Sequence, residues 1–259
     1  MIIDVNAALG HYPFRRLRGN TADSMVQLMD RFGIDRAVVS SLHAAFYRDA
    51  HQGNAELREQ TRAYSQRLIP VATLNPKYVG WQQDLDEAVA RWKMKAVTLL
   101  PAHHSYKLND EFGRAALAKI AEYDVPVMLM QRFEDRRQRH HWDIAEDLEA
   151  KSVYDVAQAH PTLKFLLSNW IGLDGERLAA AGLKGRCLID FARLHVAFNK
   201  DVPKLITALG SEAIAFGTHM PFDYVGGSLV KLANLESLPV DDFEKICWKN
   251  ASEFLRLDS

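Results

Sequence analysis

Residues 164–190 read KFLLSNWIGLDGERLAAAGLKGRCLID. Two short apolar runs, Lys164–Leu167 and Cys187–Asp190, bracket a segment long enough to carry the chain back as a helix. Parallel strands need such a crossover, and a strand covered on both faces reads as a near-continuous apolar run. Six more runs of this kind lie on either side: Ile2–Val5, Ala37–Ser40, Leu68–Thr73, Ala96–Leu100, Val125–Met130 and Ala213–Phe216. Their spacing is roughly 25 to 40 residues, the length of a strand plus a returning helix. Eight such units in 259 residues predict an α/β fold, a (β/α)8 TIM barrel forming one domain over residues 1–259. A doubly wound open sheet is the alternative.

Helix punctuation supports the same reading. Thr21 is placed to cap a helix that carries Met25, Leu28, Met29 and Phe32 at core spacing, with Gly33 at its stop. Ser152 and Asp155 form a short-acid capping box before Val156, and His160-Pro161 ends that helix. Asp201 precedes a helix that stops at Gly210, and Asp241 with Glu244 opens the last one.

Composition removes several function classes. Hydrophobic residues make up 48% of the chain, enough for a sizeable core, and the formal net charge is -1. Nothing electrostatic points to nucleic acid or an anionic membrane. No secretory leader and no membrane span is legible, so a cytoplasmic location is expected. Cys187 and Cys247 sit far apart in apolar contexts and read as free thiols. Gly-x-Gly-x-x-Gly, P-loop and Gly-x-Ser-x-Gly patterns are missing, which leaves nucleotide and serine-hydrolase chemistry unsupported.

In a barrel the loops after the strands build the active site. Unusual polar residues collect at those positions: Asn6, His11, Tyr12 and Arg15 after the first run; Ser41 and His43 after the second; Asn75 after the third. Pro101, His103, His104 and Tyr106 follow the fourth, Gln131, Arg132, Glu134, Asp135, Arg136, His140 and His141 the fifth. Ser168, Asn169 and Trp170 follow the sixth, Asp190 and Arg193 the seventh, and Gly217-Thr218-His219-Met220-Pro221 the eighth.

The opening IIDVNAALGHYPFR, the loop HQGNAEL, and the segments KAVTLLPAHHSYKLND, EDRRQRHH, LKFLLSN, FGTHMPF and KNASEFL occur in an order and spacing that resembles the amidohydrolase-related family, also called amidohydrolase family 2. The resemblance spans nearly the whole chain. It implies a TIM barrel and an activity among metal-dependent hydrolases, decarboxylases and lactonases. It also exposes departures. The family's first strand leads into Asp-x-His-x-His, where both histidines bind metal; this chain has Asp4-Val5-Asn6-Ala7-Ala8. The last strand of the family ends in Gly-Ser/Thr-Asp-x-Pro, and here His219 replaces the acid. The position on the sixth strand that often supplies a histidine reads Ser168-Asn169. Alanine cannot ligate, and an Asn amide is a poor zinc ligand beside imidazole, thiolate or carboxylate.

The expected activity is therefore hydrolysis of a small carboxylate-bearing organic substrate, a lactone or related cyclic ester, without the usual zinc. His219 and His140 are the expected catalytic residues, with His219 as general base. Asn6, His11, His104, Tyr106, Gln131, Arg132, Arg136, Asn169 and Arg193 are the expected substrate contacts, the arginines as carboxylate clamps. Against this stand a vestigial structural role for His219 and ion pairing of the arginines to Glu134, Asp135 or Asp190. Two alternatives remain open: a remodelled divalent-metal site on His104, His140 and His219, and an inactive barrel that binds a metabolite or protein partner. A homodimer is expected from the family resemblance alone.

Overall fold

The structure, a computed structural model, describes residues 1–257. Among these residues nine strand segments make eight staves. β1 (Ile3–Leu9), β2 (Arg36–Ser41) and β3 (Leu68–Pro70) pair in parallel. β4 (Ala72–Leu74), β5 (Val97–Leu99), β6 (Val127–Met130), β7 (Phe165–Ser168), β8 (Cys187–Asp190) and β9 (Ile214–Ala215) form a second parallel series. The N–H of Val71 donates to the Val39 carbonyl at 3.0 Å, so β3 and β4 are one stave interrupted at a single residue. The barrel closes where β1 meets the chain after β9: Val5 N–H reaches the Phe216 carbonyl at 3.0 Å, His219 N–H reaches Asn6 at 2.8 Å and Ala8 N–H reaches Met220 at 2.9 Å. The fold is the predicted TIM barrel.

Alternation along the staves separates two packing layers, as a period of two requires. Ile3, Val5, Val38, Ile69, Val71, Met128, Leu166, Leu188 and Ala215 pack with one another in the barrel interior. Val39, Leu68, Val97, Leu99, Val127, Leu129, Phe165, Leu167 and Ile189 belong instead to a layer shared with the helices. The first strand runs four residues beyond the predicted Val5, and a register shift lies between Asp4 and Ala7. Bulges re-aim side chains. Here Asn6 and Ala8 come to lie within the strand rather than in the loop after it.

The helix Ala22–Phe32 forms as its sequence predicts. Thr21 is extended, its side chain accepts from Ser24 N–H, and Gly33 closes the helix at φ 68°. Met25 and Met29 are fully buried in the layer between helices and strands, each worth about 1.5–3 kcal/mol of burial. Other capping expectations need correction. The helix Ala150–Ala159 starts two residues before Ser152, with Glu149 at its cap position, and Asp155 pairs with Lys151 instead of capping. Lys200 and Pro239, rather than Asp201 and Asp241, hold the cap positions of their helices. Both cysteines are free and buried. Among the described residues no helix is long and apolar enough to cross a membrane.

Candidate functional site

The C-terminal ends of β1, β7, β8 and β9 are tied by two buried carboxylates. Asp190, fully buried at the end of β8, accepts from Asn6 Nδ2 at 3.1 Å, Asn169 N–H at 2.7 Å and Ala192 N–H at 2.7 Å. Asp4, also fully buried, accepts from Asn6 N–H at 2.9 Å, Thr218 N–H at 3.1 Å and the Thr218 hydroxyl. Burial disfavours the charged form. It outweighs these donors, raising Asp4 to about 7 and Asp190 to about 6. Gly217 lets the last stave approach this network: a Cβ there would sit 2.6 Å from Asp190 Cβ.

His219 stands at the centre of the mouth with φ 59° and 2% exposure. Its ring stacks on Phe222 at 4.8 Å, and its Nε2 lies 2.6 Å from the Phe133 carbonyl. Burial is the largest influence on the ring and lowers its pKa to about 4. Asn169 Nδ2 lies 3.3 Å from the same Nε2. Both nitrogens are donors with carbonyl partners, Arg132 and Phe133 respectively, so this approach is a contact between two oriented donors. Asn169 Oδ1 accepts from Arg193 Nε at 3.1 Å.

The expected arginine clamps carry acids of the protein itself. Asp147 receives Arg132 at 2.9 Å, Arg136 at 2.9 Å and Arg139 at 2.6 Å. Arg193 pairs with Asp223 at 3.2 Å. Gln131 orients backbone, its Oε1 accepting from Ile171 N–H at 3.0 Å. His11 is exposed and its N–H donates to His43 Nε2 at 2.8 Å. Tyr106 is buried, its hydroxyl without a hydrogen-bond partner among the described residues. Trp170 is core, its Nε1 donating to Leu129 at 2.9 Å.

The three histidines of the remodelled-metal alternative do not converge. His104 Nε2 faces the Ala44 carbonyl at 3.1 Å, His140 stacks on Phe14 and His141, and His219 is held by Phe133. Among the described residues no group of three or more His, Cys, Asp or Glu is gathered as a metal ion requires. Asn6, Ala8, Asn169 and His219 therefore do not fit the family's metal.

Sequence reasoning missed a second cluster. Tyr12, fully buried, has its hydroxyl 3.1 Å from Glu134 Oε2 and 3.0 Å from Asp143 Oδ2. Arg15 pairs with Glu134, and His103 Nε2 lies 3.9 Å from Asp143 Oδ1. Burial lowers His103 to about 4. Phe14, Phe46 and Phe222 pack edge-on around the Tyr12 ring, making an aromatic plug beside His219, whose ring stacks on Phe222. The density of charge in EDRRQRHH was the available signal, but its pairing to Tyr12, more than a hundred residues away, is set only by the closed barrel.

Space at this end opens between the segments that follow β2, β4 and β5. A cavity of about 290 Å³ is bordered by Tyr47, Arg48, Asn75, Lys77, His103 and His104. Another cavity, about 590 Å³ and lined by Arg58, Trp92, Lys93 and Lys95, lies at the opposite end of the strands.

A sequence model of the family described as Amidohydrolase matches residues 6–257. A search of curated protein sequences finds no match. Solved structures share the fold at low identity. The 2,6-dihydroxybenzoate decarboxylase from Rhizobium is 16% identical with a TM-score of 0.73, the alignment covering 100% of this chain and 98% of that one. The 5-carboxyvanillate decarboxylase from Sphingomonas paucimobilis is 11% identical with a TM-score of 0.75, covering 99% of each chain. A dihydroxybenzoic acid decarboxylase from Polaromonas, solved with manganese and 2-nitroresorcinol, is 17% identical with a TM-score of 0.75, covering 100% and 97%.

Proposed function

The chain belongs to the amidohydrolase family, whose sequence pattern it carries from residue 6 to residue 257, and from that premise we propose that it acts on a small carboxylate-bearing organic substrate using side-chain acid–base groups in place of the family's metal. The carrying observation is His219. It occupies the family's proton-handling position, and the Phe133 carbonyl fixes its tautomer. With the proton on Nε2, the lone pair stays on Nδ1, the state a general base needs. Hydrolysis of a lactone or related ester would use that lone pair to take a proton from water. The solved decarboxylases act on aromatic acids by name, which supports a carboxylate-bearing substrate class. The test is turnover of a panel of lactones and hydroxybenzoates by wild type and His219→Gln. Loss of turnover in a folded variant supports the reading; unchanged turnover removes His219 from catalysis.

One observation favours a second reading. His219 is 2% exposed and stacked beneath Phe222, so its ring is closed to the solvent water that a general base would activate, which favours a barrel that binds a metabolite without converting it. Thermal stabilisation by an organic acid with no turnover across the panel would select this reading over the first.

A further inference from the structure

The cavity between the segments after β2, β4 and β5 is built around one buried amide. Asn75 follows β4 and is 9% exposed; its Nδ2 donates to the Arg48 carbonyl at 2.9 Å and its Oδ1 accepts from Lys77 N–H at 3.1 Å. A single side chain thus fixes the backbone of both cationic residues that border the space. Among the described residues neither Arg48 nor Lys77 forms an ion pair and no Asp or Glu lines the cavity, although the Asp110 carboxylate acts on Lys77 from outside it. Lys77 Nζ donates to the Ser105 carbonyl at 2.9 Å and lies 5.6 Å from the centroid of the Phe112 ring, which together aim the ammonium. Among the described residues the Arg48 guanidinium has no hydrogen-bond or ion-pair partner. His103 and His104 supply further wall, both held neutral by burial. Two cations without an ion-pair partner, positioned by a buried amide around about 290 Å³, suit one small anion, because a carboxylate takes paired N–H donors from Arg and a point charge from Lys.

We propose that this cavity binds a small organic carboxylate, its anion held between Arg48 and Lys77. The proposal takes its ligand class from the function proposed above but assigns a separate site, which shares no lining residue with His219 and borders the Asp143–Tyr12 cluster through His103. The site lies at the strands' C-terminal ends, the face on which such barrels place their ligands.

Calorimetric titration of the full chain with benzoate tests it, with benzamide as the neutral probe of equal shape. Benzoate binds, benzamide does not, and added salt weakens the complex as screening demands. Arg48→Gln and Lys77→Gln each reduce benzoate affinity about tenfold, the effect of losing one charge-assisted contact. Both residues are exposed, so neither change disturbs the core. His219→Gln leaves benzoate affinity unchanged even where it abolishes turnover, which separates this site from the proposed base. Equal binding of benzamide, no benzoate binding at millimolar concentration, or an affinity lost in His219→Gln and untouched in both cation variants would each overturn the proposal.

Discussion

The Nε2 of His219 lies 2.6 Å from the carbonyl oxygen of Phe133, and the ring is stacked on Phe222. A carbonyl only accepts, so the imidazole must donate from Nε2, and burial keeps the ring neutral with a pKa near 4. The sign of the pH effect follows. The unfolded chain protonates this histidine near its ordinary value of about 6.5, before the folded chain does. Stability is therefore lost as pH falls from about 6.5 toward 4, on the order of 3 kcal/mol in total. Nitrogen NMR should show the Nε2–H tautomer unchanged at pH 5, and His219→Gln should remove this slope from the stability curve. A His219 that titrates near 6.5 would contradict the burial argument.

Asp4 and Asp190 act with the opposite sign. Their folded pKa values, about 7 and about 6, lie above the ordinary carboxylate range. The stability they contribute is full below about 4 and is lost as pH rises through those values. Asp4→Asn keeps an oxygen for the Asn6 and Thr218 N–H groups and an amide for the Thr218 hydroxyl. It should fold at pH 5 and lose less stability than wild type between pH 5 and 8. Denaturant titrations at both pH values read the difference; identical losses would mean that Asp4 stays ionised in the folded state.

The barrel was legible because its signal is local. Eight apolar runs at a repeating interval need no knowledge of what touches what, and Cys187–Asp190 was bounded to the residue. The substitutions at Asn6, Ala8 and His219 were legible too, since they depart from a fixed frame. What the substituted residues do was not legible. The Asn6 amide finds Asp190 and Tyr12 finds Glu134 and Asp143 only across the closed barrel. The partners of the expected arginine clamps were not legible for a similar reason: Asp147, which takes Arg132 and Arg136 together with Arg139, lies in a segment without periodicity.

Gly217→Ala is expected to be among the costly single changes at the mouth. The added methyl would sit 2.6 Å from Asp190 Cβ and 3.0 Å from its carboxyl carbon, so the last stave or β8 must shift. Overpacking of this kind costs about 1–3 kcal/mol. The shift should also disturb the Asn169 N–H bond to Asp190, visible as faster amide exchange at Asn169 than in wild type.

Tyr12→Phe removes one oxygen and leaves the aromatic plug in shape. Glu134 and Asp143 then face one another without the hydroxyl between them. Loss of a hydrogen bond to a buried charged group costs about 2 kcal/mol. The cost should shrink when Asp143→Asn is added, because an amide can donate to Glu134 where the phenol did. A double-mutant cycle measures this coupling; strictly additive costs would show that the two acids do not share the hydroxyl.

Asp147 is the hub that holds the segment over His219. Its carboxylate is 8% exposed and takes Arg132, Arg136 and Arg139, while Arg139 also donates to the Glu134 and Ala145 carbonyls. Arg132 and Arg139 are themselves only 11% and 13% exposed. Asp147→Asn leaves these guanidiniums without their anion, a change worth about 3 kcal/mol for a buried pair. Phe133 lies in the same excursion from β6, so loosening it frees the carbonyl that caps His219 Nε2. The variant should show faster amide exchange across residues 131–147 and a His219 open to carbethoxylation, with helices on the far side of the barrel unchanged. Faster exchange without His219 reactivity would mean that the aromatic plug, rather than the arginine hub, keeps the mouth shut.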